Sequence, residues 1–229
     1  MSKNIKLYSN VMSQPSRSLH ILLNMAEIPY DPVTIALREG DQFTESFSDE
    51  VNKLRTIPCI NDEGFKVAGS VTIVRYLAEK TDEITQWYPV DAQKRARVDE
   101  YLEWHHLNTR TPLSGYFVAS WLIPRKTRKP PNAKKMEKLR NEVNKSLDLL
   151  ENLWLRSGDF LIDNQLTIAD IWAVCEIEQL SLTPLDVMKE RPKLKAWMER
   201  VRNATNPFYD NAHKTLWSFS HRNEQKSHL

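Results

Sequence analysis

Two serines stand where a helix is about to begin. Ser13 is followed by Gln14 and by Pro15, and a proline suits a first helical position. Ser70 precedes Val71, Val74, Leu77 and Ala78, whose spacing is helical, so Ser70 reads as an N-cap. The first turn of a helix leaves amides without partners and carries partial positive charge. A hydroxyl beside it can add one more donor, so the chemistry on offer at either serine is the holding of an anion. Ser13 could equally be a plain cap, and for Ser70 the two roles are compatible. Tyr8 is a third hydroxyl, on a strand, where alternation puts it on the face opposite Leu7. Cys59 and Cys175 each lie inside an apolar segment without CxxC spacing, and are expected to be buried thiols in a reducing compartment. The six histidines form no HExxH pattern, and His105 and His106 point to different sides of a helix, so no metal site is expected.

The elements that must position these groups change character along the chain. Residues 5–8 read as a short strand, and Leu19, Leu22, Leu23 and Ala26 follow at helical spacing until Pro29. Residues 33–35 alternate as a second strand, and 43–54 have weak helical character. Residues 58–60 and 65–67 flank Asn61-Asp62-Glu63-Gly64, a hairpin turn. The helix after Ser70 completes the order βαβ, connector, ββα. A parallel βαβ unit followed by a hairpin and a helix is the thioredoxin-like arrangement, although the order alone leaves other α/β folds open. After residue 91 the pattern is helical throughout. Four stripes carry it: Val98, Tyr101, Leu102 and His105; Met136 through Trp154; Ile168, Ile171, Trp172 and Cys175; and Leu194, Trp197, Met198 and Val201. The third opens on Thr167 as N-cap with Asp170 three residues on, and Leu166 and Ile171 placed as a hydrophobic staple. The domains expected are 1–80, α/β; a linker, 81–91; and an all-α domain, 92–229.

With 229 residues, 41% of them hydrophobic, the chain can bury a sizeable core. A net charge of +2 argues against a dedicated nucleic-acid binder, and the basic run 125–129 with Pro130-Pro131 reads as an exposed interhelical loop. No apolar run is long enough for a membrane span, and residues 1–6 lack the apolar stretch of a signal peptide, so a cytoplasmic protein without membrane contact is expected.

Several short motifs, in order and at the right spacing, carry a family likeness over roughly residues 5–205. Ser13-Gln14-Pro15-Ser16-Arg17 after the first strand resembles the active-site turn of theta-class glutathione transferases. Trp87-Tyr88-Pro89 with the segment 96–104 is similar to that class's linker and fourth helix. Thr167-Ile168-Ala169-Asp170 resembles the capping motif of the superfamily's sixth helix. The resemblance implies a thioredoxin-like domain followed by an all-helical domain, and glutathione as cosubstrate. It implies a homodimer, and conjugation to apolar electrophiles with possible peroxidase activity. Ser13 would then hold the glutathione thiolate, with Gln14 beside it. In other classes a strand tyrosine does this work, which makes Tyr8 the rival. Pro58 would be cis, with Thr56 and Ile57 before it and the Ile57 backbone pairing with the cysteinyl part, where the residues alone fit an ordinary trans proline at the start of an edge strand equally well. Ser70 would bind the γ-glutamyl carboxylate. Met12, His106, Arg110 and Tyr116 would line the electrophile pocket; Arg110 would stand near a departing anion, or be an ordinary solvated helix arginine.

Three positions depart from the family pattern. Gly69 stands where an acidic or amide side chain usually meets the γ-glutamyl ammonium. Gln42 stands where a basic residue commonly holds the glycine carboxylate, and Thr56 replaces a frequent lysine. Lys53, Arg55 and Lys66 are candidate substitutes for the carboxylate and Glu63 for the ammonium. These departures motivate the rival expectations of a ligandin-like binding protein or a scaffold with impaired conjugation. The segment around Trp217 and Phe219 looks short for a lid helix, which predicts an open pocket.

Overall fold

In the computed structural model, which describes residues 5–226 and the side chains of 5–220, the first strand, β1 (Ile5–Ser9), buries Ile5, Leu7 and Ser9 and turns Lys6 outward. It pairs in parallel with β2 (Asp31–Thr34) and antiparallel with β3 (Cys59–Asp62), which pairs antiparallel with β4 (Phe65–Ala68). The sheet order is β2-β1-β3-β4. This is the expected thioredoxin-like arrangement, with β2 starting two residues before the alternating stretch and ending one residue sooner.

Helix α1 (Gln14–Met25) crosses between β1 and β2, and α3 (Ser70–Ala78) follows β4; the two pack together. Leu7, Leu19, Leu22 and Leu23 are fully enclosed with Ile73 and Val74, each large aliphatic contributing about 1.5–3 kcal/mol by burial. The other sheet face packs a smaller cluster of Ile35, Phe47 and Cys59, with Tyr8 and Ile57 beside it. Phe47 comes from α2 (Glu45–Glu50), a six-residue helix capped by Thr44, preceded by a 3₁₀ turn at Asp41–Phe43.

After α3 and a 3₁₀ turn at Asp82–Ile84, the chain is helical. From residue 92 to 127 the backbone stays in one winding path: α4 (Ala92–His105), α5 (Thr111–Phe117) and α6 (Ile123–Thr127), joined by π-turns at His106–Arg110 and Val118–Leu122. Each π-turn stands just before a proline, Pro112 or Pro124. A proline ring crowds the carbonyl four residues back, and the wider turn lets the helix continue past it. Helix α7 (Ala133–Leu149) ends in a further π-turn, Leu150–Trp154. Helices α8 (Ile168–Glu178), α9 (Pro192–Thr205) and α10 (Phe208–Lys226) complete the chain.

Helix α8 is the central post, buried from Ile168 through Ile177. Its start is fixed as the sequence predicts: the Asp170 carboxylate accepts from the Thr167 amide at 2.9 Å. The same carboxylate accepts from the Leu161 amide and the Trp197 indole, both at 2.8 Å. Burial pushes the Asp170 pKa up, and these donors oppose that. Helix α1 lies between the sheet and α8, so one core runs continuously from Leu7 to Leu216. Among the described residues, no helix is long and apolar enough to cross a membrane.

Candidate active site

Strand directions decide which residues meet. The C-terminal end of β1, the C-terminal ends of β2 and β4, and the start of β3 all lie at one edge of the sheet, since Tyr8 faces Cys59 and Cys59 faces Ala68. The segments leaving that edge carry Ser13, Gln42, Pro58 and Ser70. Two tethers tie them: the Asn10 side-chain amide donates to the Ile35 carbonyl at 2.8 Å, and the Gly69 amide donates to the Pro58 carbonyl at 3.1 Å.

Ser13 is the N-cap of α1, with extended backbone angles (φ −88°, ψ 123°), and its carbonyl accepts from the Arg17 amide at 3.0 Å. Gln14 is thus the first helical residue and Pro15 the second, one position later than expected for the proline. The Ser13 hydroxyl makes no capping hydrogen bond, so the part of a plain capping serine goes unplayed. Ser13 and Met12 are half-buried, and Gln14 is buried. Tyr8 packs on the α2 face of the sheet, whereas α1 packs on the other.

The Ile57–Pro58 peptide is cis. The Asn52 side-chain amide braces this turn by donating to the Thr56 carbonyl at 2.8 Å and to its hydroxyl at 3.2 Å. Ile57 stands outside the β3 ladder, which begins at Cys59. Gly69, not Ser70, is the N-cap of α3, with φ +92° and ψ 122°; Ser70 is the first helical residue. A positive φ of this kind disfavours side chains, which accounts for the glycine conformationally. Ser70 is half-buried, and its hydroxyl oxygen accepts from the Trp172 indole at 2.9 Å.

Gln42 is nine-tenths buried in its 3₁₀ turn, with Oε1 unpartnered. Arg55 donates to the Phe43 carbonyl at 3.2 Å, which brings its guanidinium to the 3₁₀ turn that carries Gln42. Glu63 sits in the hairpin turn at the opposite end of β3 and β4, away from Gly69. Lys53 and Lys66 line an open cleft of about 360 Å³ with Val51, Leu54 and Val67.

On the helical side, Arg110 is not a solvated cation. It pairs with Glu176 of α8, whose carboxylate is 2% exposed. Burial pushes the Glu176 pKa up while Arg110 and Arg17 pull it down. His106 is exposed, and Tyr116 is enclosed in the core at 1% exposure, so these two expected pocket residues do not share an open surface. The C-terminal segment, expected to be short, forms the 19-residue α10, which packs against α1, while Phe219 meets Trp121 edge-on. Ser13 nevertheless stays half-buried.

Sequence reading passed over the two residues that join this edge to α8. Arg17 is fully buried and donates to the Val11 carbonyl at 2.8 Å, the Cys175 carbonyl at 3.0 Å and Gln179 Oε1 at 2.7 Å. Burial lowers its pKa, opposed by Cys175 and Glu176 among others. Trp172 is the second. Both cysteines are buried, with pKa values raised by burial to about 12 for Cys59 and about 11 for Cys175, so neither is a thiolate near neutral pH.

Residues 3–79 match the family model described as glutathione S-transferase, N-terminal domain, and residues 113–204 match that of the C-terminal domain. The chain is 34% identical over 213 residues to mouse glutathione S-transferase theta-3, covering 93% of this chain and 88% of the relative. It is 35% identical over 220 residues to glutathione S-transferase T1 of Arabidopsis thaliana, covering 93% and 89%. Two longer Arabidopsis relatives, T3 and T2, match at 32% and 34%, and the chain spans 39% of each. Among solved structures, a human theta-class glutathione transferase in complex with the glutathione conjugate of 1-menaphthyl sulfate superposes with a TM-score of 0.90 at 30% identity, over 98% of this chain and 91% of that one.

Proposed function

This chain belongs to the glutathione S-transferase family, alongside its theta-class members, and from that premise we propose that Ser13 activates the glutathione thiol for transfer to apolar electrophiles. The observation that carries the reading is the Ser13 hydroxyl: it stands at the mouth of α1 and is not spent on capping. A free thiol of this type titrates at about 8.5, and lowering that by about two units requires roughly 3 kcal/mol of preferential thiolate stabilisation. The first-turn amides of α1 supply part of it through their partial positive charge, and the Ser13 hydroxyl donates to the sulfur. The thiol proton leaves to solvent. The thiolate then forms a C–S bond as the bond to the leaving group breaks, and that group departs with its electron pair. With a hydroperoxide the thiolate attacks oxygen instead, and a second glutathione completes the disulfide, giving alcohol and water.

Gln14, Gln42, Thr56, Ile57, Pro58, Gly69 and Ser70 are proposed to hold glutathione along the sheet edge, with Arg55 taking over from the missing bases. Met12 and Arg110 are proposed to face the electrophile, with His106 at the pocket's rim and Tyr116 packed beneath it. Paired with Glu176, Arg110 keeps its guanidinium donors while the pair as a whole carries little net charge, so it would meet a departing anion through hydrogen bonds more than through net charge. The protein is proposed to act as a cytoplasmic homodimer, and a solution mass near twice 26.8 kDa is expected; a monomeric mass would refute this.

A second reading, a binding protein with impaired conjugation, is favoured by the uncharged Gly69, Gln42 and Thr56. Calorimetric titration with glutathione, followed by conjugation and peroxide-reduction assays on wild type and Ser13→Ala, separates them. The enzyme reading expects millimolar or tighter binding and turnover that collapses in Ser13→Ala. Absent binding would sink it, and unchanged turnover in the variant would remove Ser13 from the chemistry.

A further inference from the structure

Trp172 lies in the first turns of α8, 3% exposed, yet its one polar atom leaves the helical core to reach the sheet edge. The indole Nε1–H donates to Ser70 Oγ at 2.9 Å, across 102 residues of sequence. A hydroxyl has one hydrogen to give and lone pairs to accept with. Here the indole takes the accepting side, and an indole can never accept in return. The Ser70 hydrogen is therefore left to face whatever occupies the first turn of α3, and accepting a bond makes the hydroxyl a better donor. The same bond fixes where α3 begins relative to α8, because Ser70 is the first residue of one helix and Trp172 is buried in the other.

We propose that Trp172 is a positioning residue for glutathione, orienting the Ser70 hydroxyl as a donor to the γ-glutamyl carboxylate. The inference rests on the reading that this carboxylate sits at Ser70. It gains weight from the surroundings: Gly69 supplies no side chain to that end of the ligand, so more of the grip falls on the Ser70 hydroxyl and the α3 amides. Trp172 does not touch the reacting sulfur, and its loss should raise the KM for glutathione while leaving kcat near wild type.

The test compares two thiols, glutathione and its analogue lacking the γ-glutamyl α-carboxylate, binding to the full-length protein by calorimetry. With Trp172→Phe, glutathione should bind about threefold to tenfold more weakly, the range one hydrogen bond spans, and the analogue should bind as to wild type. Ser70→Ala should weaken glutathione at least as much, and the double variant should lose no more than Ser70→Ala alone. Equal weakening of both thiols in Trp172→Phe, or penalties that multiply, overturns the proposal. Wild-type affinity in Trp172→Phe beside a loss in Ser70→Ala overturns it while leaving the carboxylate at Ser70. Unchanged glutathione affinity in Ser70→Ala removes that assignment and the proposal with it. Should Trp172→Phe not fold, nitrogen–proton spectra of the remaining proteins decide. One indole cross-peak should move in Ser70→Ala, and the same peak should move when wild type is saturated with glutathione but not with the analogue. No shared peak would contradict the orienting role.

Discussion

Serine hydroxyls at helix mouths are common, and what singles out Ser13 is that its capping role is vacant while its carbonyl already starts the helix. Residue type and spacing are enough to nominate Ser13 and Ser70, because Pro15 and the α3 stripe are local signals, whereas Pro58 enters only through the family resemblance. Arg17 reads only as part of the turn motif and Trp172 only as part of an apolar stripe, since the partners that give them their roles, the Cys175 carbonyl and Ser70, lie 158 and 102 residues away. Nor could spacing show that Arg110 is neutralised by Glu176, or that Tyr116 is enclosed. The missing bases invite a prediction at this scale. Arg55 reaches the 3₁₀ turn that carries Gln42, tied to the Phe43 carbonyl. Arg55→Met should weaken glutathione binding about threefold to tenfold, as expected for one partly exposed charged contact. Glutathione amidated at its glycine carboxylate should show no such loss. Equal effects on both ligands would remove Arg55 from the carboxylate.

Among the elements, the succession of strands and helices and the capping signal of α8 are readable from the sequence, because alternation and the Thr167–Asp170 pair are written within a few residues, whereas the order of strands in the sheet is not. The π-turns before Pro112 and Pro124 were not, since whether a proline breaks a helix or widens it depends on packing against α7 and α8. The element relation that matters most to the site is the seating of α1 on α8, and Arg17 is its pin. Removing the guanidinium takes the donor from the buried Cys175 carbonyl and Gln179 Oε1 and from the part-buried Val11 carbonyl. Arg17→Met should cost about 3 kcal/mol, within the range for breaking a buried charged network. For a chain of this size that corresponds to a melting temperature lower by roughly 6–12 °C. A melting temperature unchanged in a scanning-calorimetry trace would show that the pin carries no load.

Across the whole molecule, one continuous core joins the halves, so unfolding should answer to buried titratable groups wherever they lie. His105 is enclosed in the helical layer, where burial, with Arg110 and His106, lowers its pKa to about 3. The unfolded chain takes up that proton near pH 6.5, so the stability due to neutral His105 is complete above that value and is lost as pH falls toward 3. The loss should be about 2 kcal/mol between pH 6.5 and 5. His213, pushed well below its usual range by burial, acts in the same direction. Urea unfolding at near-neutral pH and near pH 5 should show this fall in wild type and a smaller one in His105→Gln; identical falls would contradict it. In the proposed mechanism the amides of α1 and the Ser13 hydroxyl act together on one sulfur, which makes the function, too, a property of the assembled site. The thiol of bound glutathione, titrated by its thiolate ultraviolet absorbance, measures that sum directly. It should ionise about two units below the free value of about 8.5 in wild type and return most of the way in Ser13→Ala. A bound thiol with the same pKa in both proteins would contradict the account.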